Sequence, residues 1–465
     1  MAEVKAGPTK RFFVSMLTRD IDLKDAIMDL LDNCVDGVLR QIVDKGHDED
    51  QPYKGYWAKI TANPDMFSIE DNCGGIPRDI ALNTAFRLGR GQDDRDKDIP
   101  TVGMYGIGMK RAIFKMGKHS TVTSRNEDQT YYVEISPEWI DDDNSVNWTL
   151  DLIDTQDGLE YNGTTILVDN LYSSISRQFD EDETPFLKEL TKEIERFFAL
   201  IIKKGFRVYL NDVEVQPISL DILVADDFRE DQIQAYAYRG VVDDVQINIV
   251  LGFYSRLATV QEIEDDLQIP RSRENAGWTV ICNDRVVLNR DKTAITGWGV
   301  RDVPAFHNQF ISIAGVVVFS SDKPINLPLN TTKRGLDTSS LVYWHALDFM
   351  MEGLKKFTDF TNRWKGRESE TNATFQQLKP KDATRIADSI PDVAWKNVRG
   401  SIGQRYSPNL PLPPRNDTKR RILLYRNSDE IELLGEFFFD DAKADPTQIG
   451  NRCFDDALVN ARRNR

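Results

Sequence analysis

Cysteine and histidine are scarce in this chain, with four of each among 465 residues. Cys34, Cys73, Cys282 and Cys453 stand far apart, without a CxxC pair and without a histidine beside them. That pattern speaks against a zinc framework or a disulfide scaffold and makes reduced thiols the expectation. Long apolar runs are missing too: none approaches the roughly 18–20 residues that span a bilayer. The opening MAEVK lacks the apolar core of a secretory signal. The expectation is a cytoplasmic protein with no membrane partner. Positive charge is also in deficit, with 59 Lys and Arg against 75 Asp and Glu and a net charge of −16. A surface that coats nucleic acid non-specifically along its whole length does not fit that balance. The deficit is uneven, because residues 366–465 hold 17 basic and 15 acidic side chains. An acidic body with a near-neutral tail still permits local basic patches.

What is present is enough for two or three domains. Residues 20–44 read as one long helix, with Ile27, Leu30, Leu31, Cys34 and Val38 forming an apolar stripe. Asp29, Asn33 and Asp36 fall on another face. Strands are expected at 57–62 and 66–70, around the Asn63-Pro64-Asp65 turn, and at 119–125, 129–135, 147–153 and 164–169. Residues 79–88 read as helix and 89–101 as a polar loop. A helix over 187–204 leads into a hairpin turning at Asn211-Asp212. The first domain boundary is placed near 215, giving a domain over 1–215. A β-rich domain over 216–365 follows, with strands at 234–242, 245–254, 278–288 and 314–319 and a closing helix from 339 to 364. Residues 366–378 read as a linker opening a C-terminal region, 366–465. That region contains the proline run PNLPLPP at 408–414, which cannot be regular helix or central strand, and a helical pair at 428–439 and 446–462.

Three short segments carry chemistry: DLLDNCVDG at 29–37, DNCGGI at 71–76 and GMYGIG at 103–108. A mid-helix amide at Asn33 can offer its carbonyl oxygen to Mg²⁺ while phosphates and water complete the shell. An acid at a strand end followed by glycines, as at Asp71, can accept from a base amine that the backbone approaches closely. Gly103, Gly106 and Gly108 allow successive amides to face an anion, and the helix opening at Met109 adds its positive dipole end. No strand feeds these glycines directly and no acidic strand end lies about twenty residues on, so a Rossmann loop is ruled out, as is a Gly-Lys-Ser/Thr P-loop. Lys110 either reaches a phosphate or is solvated.

In order and spacing these segments resemble the GHKL superfamily of ATPases, which includes type II topoisomerase subunits, MutL, MORC proteins, heat-shock chaperones and histidine kinases. The resemblance implies an α+β fold: a Bergerat-type α/β sandwich (a mixed sheet with helices on one face), then a transducer-like α/β domain and a small, mostly helical C-terminal region. It implies ATP and Mg²⁺ as ligands. Asn33 would hold the metal, and Asp71, Gly75 and Ile76 would hold the adenine end. Gly103, Gly106, Ile107, Gly108, Met109 and Lys110 would hold the phosphates, and the hydroxyl of Thr164 would support Asp71. Residues 77–102 would form a lid that orders over the terminal phosphate. Asp29 stands where hydrolysing relatives usually carry glutamate. Being one methylene shorter, its carboxylate would sit roughly 1.3–1.5 Å further back, so it is expected either to act as a slow general base or only to hold a water. Cys73 replaces the first glycine of the family's Asp-x-Gly-x-Gly.

Histidine kinases need a phospho-accepting histidine before the ATP site, and His47, His119, His307 and His345 all lie after its first segment. Topoisomerase, MutL and MORC relatives instead send a lysine back from the transducer to the γ-phosphate. Lys333, in LPLNTTKRGL at 327–336, is the candidate. The segment PTKRFFVSML at 8–17 is expected to be a strap that crosses to a partner in an ATP-dependent homodimer, or an edge strand of its own sheet. Arg415, Lys419, Arg420 and Arg421 either touch nucleic acid or lie solvated. Three kinds of action follow from the resemblance. One is a MORC- or MutL-like clamp and ATP hydrolase in DNA-related or defence processes. Another is a chaperone-like or regulatory module acting on a protein partner, and the third a nucleotide sensor with little turnover.

Overall fold

The computed structural model describes residues 9–45, 48, 50–87, 107–141, 148–156, 158–228, 232–259, 273–330, 333–398, 403–413, 422 and 424–463. Gly103, Gly106, most of the expected lid and the four-cation cluster Arg415, Lys419, Arg420 and Arg421 lie outside these residues. The chain divides into two compact units, Met1–Leu412 and Pro413–Arg465.

Unit one begins with helices α1 (Lys10–Arg19) and α2 (Leu23–Lys45) and strands β1 (Trp57–Ala62) and β2 (Phe67–Asp71). A helical turn, α3 (Arg78–Ile80), continues as a π-helical turn over Ala81–Ala85. Then come α4 (Gly108–Met116), β3 (Gly117–Asn126), β4 (Gln129–Ile135), α5 (Pro137–Asp141), β5 (Leu152–Asp154), β6 (Gly163–Leu171), α6 (Ser173–Gln178), α7 (Phe186–Phe197), α8 (Ala199–Lys203), β7 (Arg207–Leu210) and β8 (Val213–Glu214). The strands form one sheet in the order β5-β4-β3-β6-β2-β1-β7-β8. It is mixed, since β1 and β7 run parallel and the other pairs antiparallel. One apolar core joins Ile27, Leu31 and Val38 of α2, Ile113 of α4 and Leu190 and Ile194 of α7 to Ile60, Ile69, Val122 and Val168 of the sheet. The alternating burial of β1 and β2 gives the sheet its core face. This is the Bergerat-type sandwich.

Three expectations differ here. The strap is neither a strand nor extended within the described residues. It is helix α1, capped by Thr9, whose hydroxyl accepts from the Phe12 amide at 3.3 Å. Lys10 and Val14, one turn apart, are buried, and the Lys10 ammonium lies 4.4 Å over the Trp139 ring. The helix expected over 187–204 breaks at Phe198 into α7 and α8. The strand expected over 147–153 is seen only as Leu152–Asp154, residues 142–147 being outside the description.

The second sheet contains β9 (Asp221–Val224), β10 (Tyr236–Val242), β11 (Val245–Phe253), β12 (Gly277–Cys282), β13 (Arg285–Asp291) and β14 (Ile313–Ser320), followed by the long helix α9 (Leu341–Trp364). The expected linker is instead helix α10 (Glu368–Gln376), whose Phe375 packs edge-on against Phe253 at 5.5 Å. Strand β15 (Lys379–Asp382), helix α11 (Ala383–Ser389) and strands β16 (Lys396–Asn397) and β17 (Gly403–Tyr406) also belong to this body. β15 pairs with β9 and β17 with β10, so residues 379–406 complete the second sheet rather than opening a separate region at 366. α9 covers one face and α11 the other. Residues 278–288 are two strands, reversed at Asn283-Asp284, both with positive φ. The Asn211-Asp212 and Asp243-Asp244 turns have the same conformation, the two-residue turn that matches strand twist.

Unit two contains the helical pair α12 (Ser428–Phe439) and α13 (Pro446–Arg463). A capping box between Asn427 and Glu430 starts the first.

Candidate functional site

Helix α2 carries the site because its faces have different neighbours. Asn33 is exposed, Asp29 is half-buried, and Asp32 is only 2 % exposed. Gly37 lets the helix approach the turn after β2; a Cβ there would stand 2.7 Å from the Cys73 carbonyl oxygen.

At that turn Asp71 is 8 % exposed. Its Oδ1 accepts from the Cys73 amide at 2.8 Å and its Oδ2 from the Cys34 thiol at 3.4 Å. Burial pushes its carboxyl up to about 6, against the opposing pull of the Cys73 amide and the Cys34 thiol. The turn is packed closely on every side. Gly74 and Gly75 have positive φ, and a Cβ on Gly75 would lie 2.0 Å from the Arg125 carbonyl oxygen. A Cβ on Gly163 would lie 1.9 Å from the Asp71 carbonyl oxygen. The Ile76 amide donates to Ser124 Oγ at 2.7 Å, and Tyr131 donates to the Ile76 carbonyl at 2.7 Å. Cys73 therefore does not spoil the turn, since Gly74 takes the left-handed position beside it. Thr164 pairs with Asp71 in the β2–β6 ladder, and its hydroxyl lies 3.2 Å from that of Ser124. The expected hydroxyl support of Asp71 is thus replaced: Thr164 reaches Asp71 through its backbone amide.

Helix α4 opens against Asp29, for a Cβ on Gly108 would lie 3.3 Å from Asp29 Oδ2. Ile107 caps it without a side-chain partner, and Met109 packs on the first core. Lys110 takes neither of the two expected positions. It is buried, and its ammonium donates to the Ala85 and Arg87 carbonyls at 2.8 and 2.7 Å, holding the end of the π-helical turn to α4.

From the second sheet two segments come to α2. The 327–336 loop is closed by a bridge between Leu329 and Leu336. It holds Lys333 at φ +57°, a conformation side chains other than glycine seldom adopt. Lys333 Nζ lies 3.4 Å from Asp29 Oδ1 and 3.1 Å from Asp32 Oδ2. Burial alone would lower its pKa, but Asp32, Asp29 and Asp36 outweigh it and hold the ammonium charged. Next to it, Arg334 pairs with Asp25 and, at 3.0 Å, with Glu193. The tip of the β12–β13 hairpin supplies Arg285, 2 % exposed, whose Nε donates to Asp32 Oδ1 at 2.7 Å. Its Nη1 donates to the Phe197 carbonyl at 2.9 Å, a carbonyl that the break at Phe198 turns away from the helix ladder. Beside Arg285, Asp284 bonds Lys204 at 2.7 Å and Tyr53 at 3.0 Å. Burial would raise Asp32, yet Arg285 and Lys333 together hold it below the usual carboxylate range.

The sequence reading missed Asp25, Asp32, Arg285 and Arg334. A signal was there: Asp25, Asp29, Asp32 and Asp36 follow helical spacing as an acidic stripe, but the cations facing it lie about 250 or more residues on.

The residues fit a magnesium nucleotide. Among the described residues no three His, Cys, Asp or Glu side chains form a metal cage, whereas the exposed Asn33 amide stands one turn from Asp29. That donor set suits an ion whose other ligands are phosphate and water. The spare acceptor capacity of Asp71, on a turn that Gly75 and Gly163 let pack closely against the neighbouring backbone, suits a purine edge. Among the described residues no helix is long and apolar enough to cross a membrane. No curated protein matches the chain. Residues 21–162, holding α2, the Asp71 turn and α4 and ending just short of Thr164, match the family model of the histidine kinase-, DNA gyrase B- and HSP90-like ATPases, which supports the GHKL superfamily for this segment.

Proposed function

We propose that unit one binds ATP with Mg²⁺ between α2, the Asp71 turn and the start of α4, and hydrolyses it slowly. The observation that carries this is the meeting at Asp29 of three separate elements: its own helix, Gly108 at the start of α4, and Lys333 from the second sheet. Asp71 accepts from the adenine amine, and Gly75, Ile76 and the backbone of Thr164 shape the slot. The amides at Ile107, Gly108 and Met109 face the phosphates, with Gly103 and Gly106 in the preceding segment. Asn33 would hold Mg²⁺, which when bound neutralises phosphate charge and polarises the terminal phosphoryl group. Asp29 takes the proton of the attacking water, and Lys333 stabilises the charge on the terminal phosphate.

Slow turnover has its own support. Lys333 lies within ion-pair distance of Asp29 Oδ1, so that oxygen is engaged by an ammonium instead of standing free for the attacking water. Asp29→Asn is the test. Single-turnover hydrolysis is expected to fall while analogue binding persists; unchanged hydrolysis removes Asp29 from the mechanism.

The nucleotide state would act through the second domain, as in a MORC- or MutL-like clamp that dimerises on ATP binding in DNA-related or defence work. Phe12 and Met16, exposed and one turn apart on α1, support a surface that a second copy covers. Deleting residues 1–13 is expected to abolish any rise in mass that a non-hydrolysable analogue causes in light scattering. ATPase stimulation by DNA supports the clamp reading, and stimulation by a protein partner alone supports a chaperone-like or regulatory role.

A further inference from the structure

The mechanism above uses Asp29 and Lys333 but leaves Asp32 without a task, although it is buried on α2 between two cations. Its two oxygens are divided. Oδ1 accepts from Arg285 at 2.7 Å and Oδ2 from Lys333 at 3.1 Å, two cations on different segments of the second sheet. Arg285 is immobilised. Its guanidinium lies 4.2 Å from the Phe198 ring centre, and Nη1 also bonds the Phe197 and Val286 carbonyls at 2.9 and 3.0 Å. Lys333, by contrast, has a long flexible stem on a short loop. An ammonium on such a stem does not hold one place unless something takes up its hydrogens. Asp32 does so, leaving the ammonium beside Asp29.

We propose that Asp32 is a positioning residue: clamped by Arg285, it fixes the Lys333 ammonium beside Asp29 and so gives the second domain its sensitivity to the terminal phosphate. The inference rests on the reading of Lys333 as the residue that meets that phosphate. Asp32 itself touches no nucleotide. Its carboxylate is shared between the two cations, and its side chain is enclosed between α2, the β12–β13 tip and the 327–336 loop. Its contribution is therefore to discrimination between a triphosphate and a diphosphate, and not to adenine recognition at Asp71. A residue that merely stabilised the fold would weaken both nucleotides alike or neither.

The full chain serves for the test, with dissociation constants for ADP and for a non-hydrolysable ATP analogue, both with Mg²⁺, and thermal unfolding of the protein without nucleotide. Asp32→Asn is expected to lower the preference for the analogue by about tenfold or more, as losing a charged hydrogen-bond partner would, while ADP affinity stays within about twofold. Lys333→Ala is expected to do the same, and the double variant to be no worse than Lys333→Ala, since the two act as one unit. Asp32→Asn leaves Arg285 buried and charged, so the pair Asp32→Asn with Arg285→Met, which removes both charges, carries the test if the single variant does not fold. It is expected to recover thermal stability without recovering the preference. A retained preference in that pair, with Lys333→Ala losing it, overturns the role of Asp32 and leaves the Lys333 reading standing. An unchanged preference in Lys333→Ala overturns both.

Discussion

Asp71 and Asp32 are both buried aspartates in the same domain, only one sheet and one helix apart, and they have opposite electrostatics. Asp71 ends β2 among neutral donors, an amide and a thiol, and burial raises its carboxyl to about 6. Asp32 sits mid-helix between a guanidinium and an ammonium, and the two cations depress it despite its burial. Burial by itself therefore says little about what a carboxylate does. The unmatched one retains acceptor capacity and suits a ligand; the matched one is committed to the protein's own cations and suits a joint.

The largest expected effect breaks the matched side. Arg285→Ala leaves Asp32 enclosed with half of its compensation gone, and should cost about 3–5 kcal/mol of stability in urea unfolding at neutral pH. On the unmatched side the effect reverses. An acid raised from 3.8 to about 6 binds more protons folded than unfolded between those values, so stability falls as pH rises from about 4 to about 6 and is level above that. The drop is on the order of 3 kcal/mol. Asp71→Asn should flatten that slope and unfold at a higher temperature at pH 7, yet bind nucleotide about tenfold or more weakly. For Asp32 the sign is opposite: its depressed pKa contributes stability above about 4 that is lost as pH falls through the folded value.

Arg334→Ala tests the outer end of the acidic stripe, where Asp25 and Glu193 are partly wetted. A loss of about 1–2 kcal/mol in the same unfolding assay is expected, since solvent screens the pair. His119, bonded at the surface by Glu134 at 2.8 Å and by Asp169, is the control. Its hydrogen bond to Glu134, against a small burial cost, raises its pKa, so its stabilisation is full below about 6.5 and disappears as pH rises through the folded value. His119→Ala should cost about 0.5 kcal/mol at pH 6 and nothing measurable at pH 9.

What could be read from the chain alone was what neighbours in sequence determine. The apolar stripe of α2, the hairpin at Asn211-Asp212 and the glycines after Asp71 each declare themselves within a few residues. Contacts over distance did not. Arg285 is 253 positions from Asp32, and nothing local marks it as a buried cation. Helix α10 looked like a linker because its sequence, ESETNATFQ, has one large apolar residue, Phe375; only Phe253 across the sheet makes that residue an anchor. The aromatic and β-branched residues of α1 favour a strand locally, and the buried i, i+4 pair Lys10 and Val14 decides for helix. At Phe198 the helix pattern was read as continuous because the break serves Arg285, a partner the segment itself does not contain.

The turn at Asn283-Asp284 has a bearing on how this chain can vary. Two residues with positive φ are all that separate β12 from β13, and the next residues on either side already belong to the ladder, where Cys282 pairs with Arg285. Most hairpin tips are where chains absorb insertions, tags and drift in length. Here one added residue would carry Arg285 away from Asp32 and Asp284 away from Lys204 together, so this tip is a gauge of fixed length. Labels and fusions belong elsewhere.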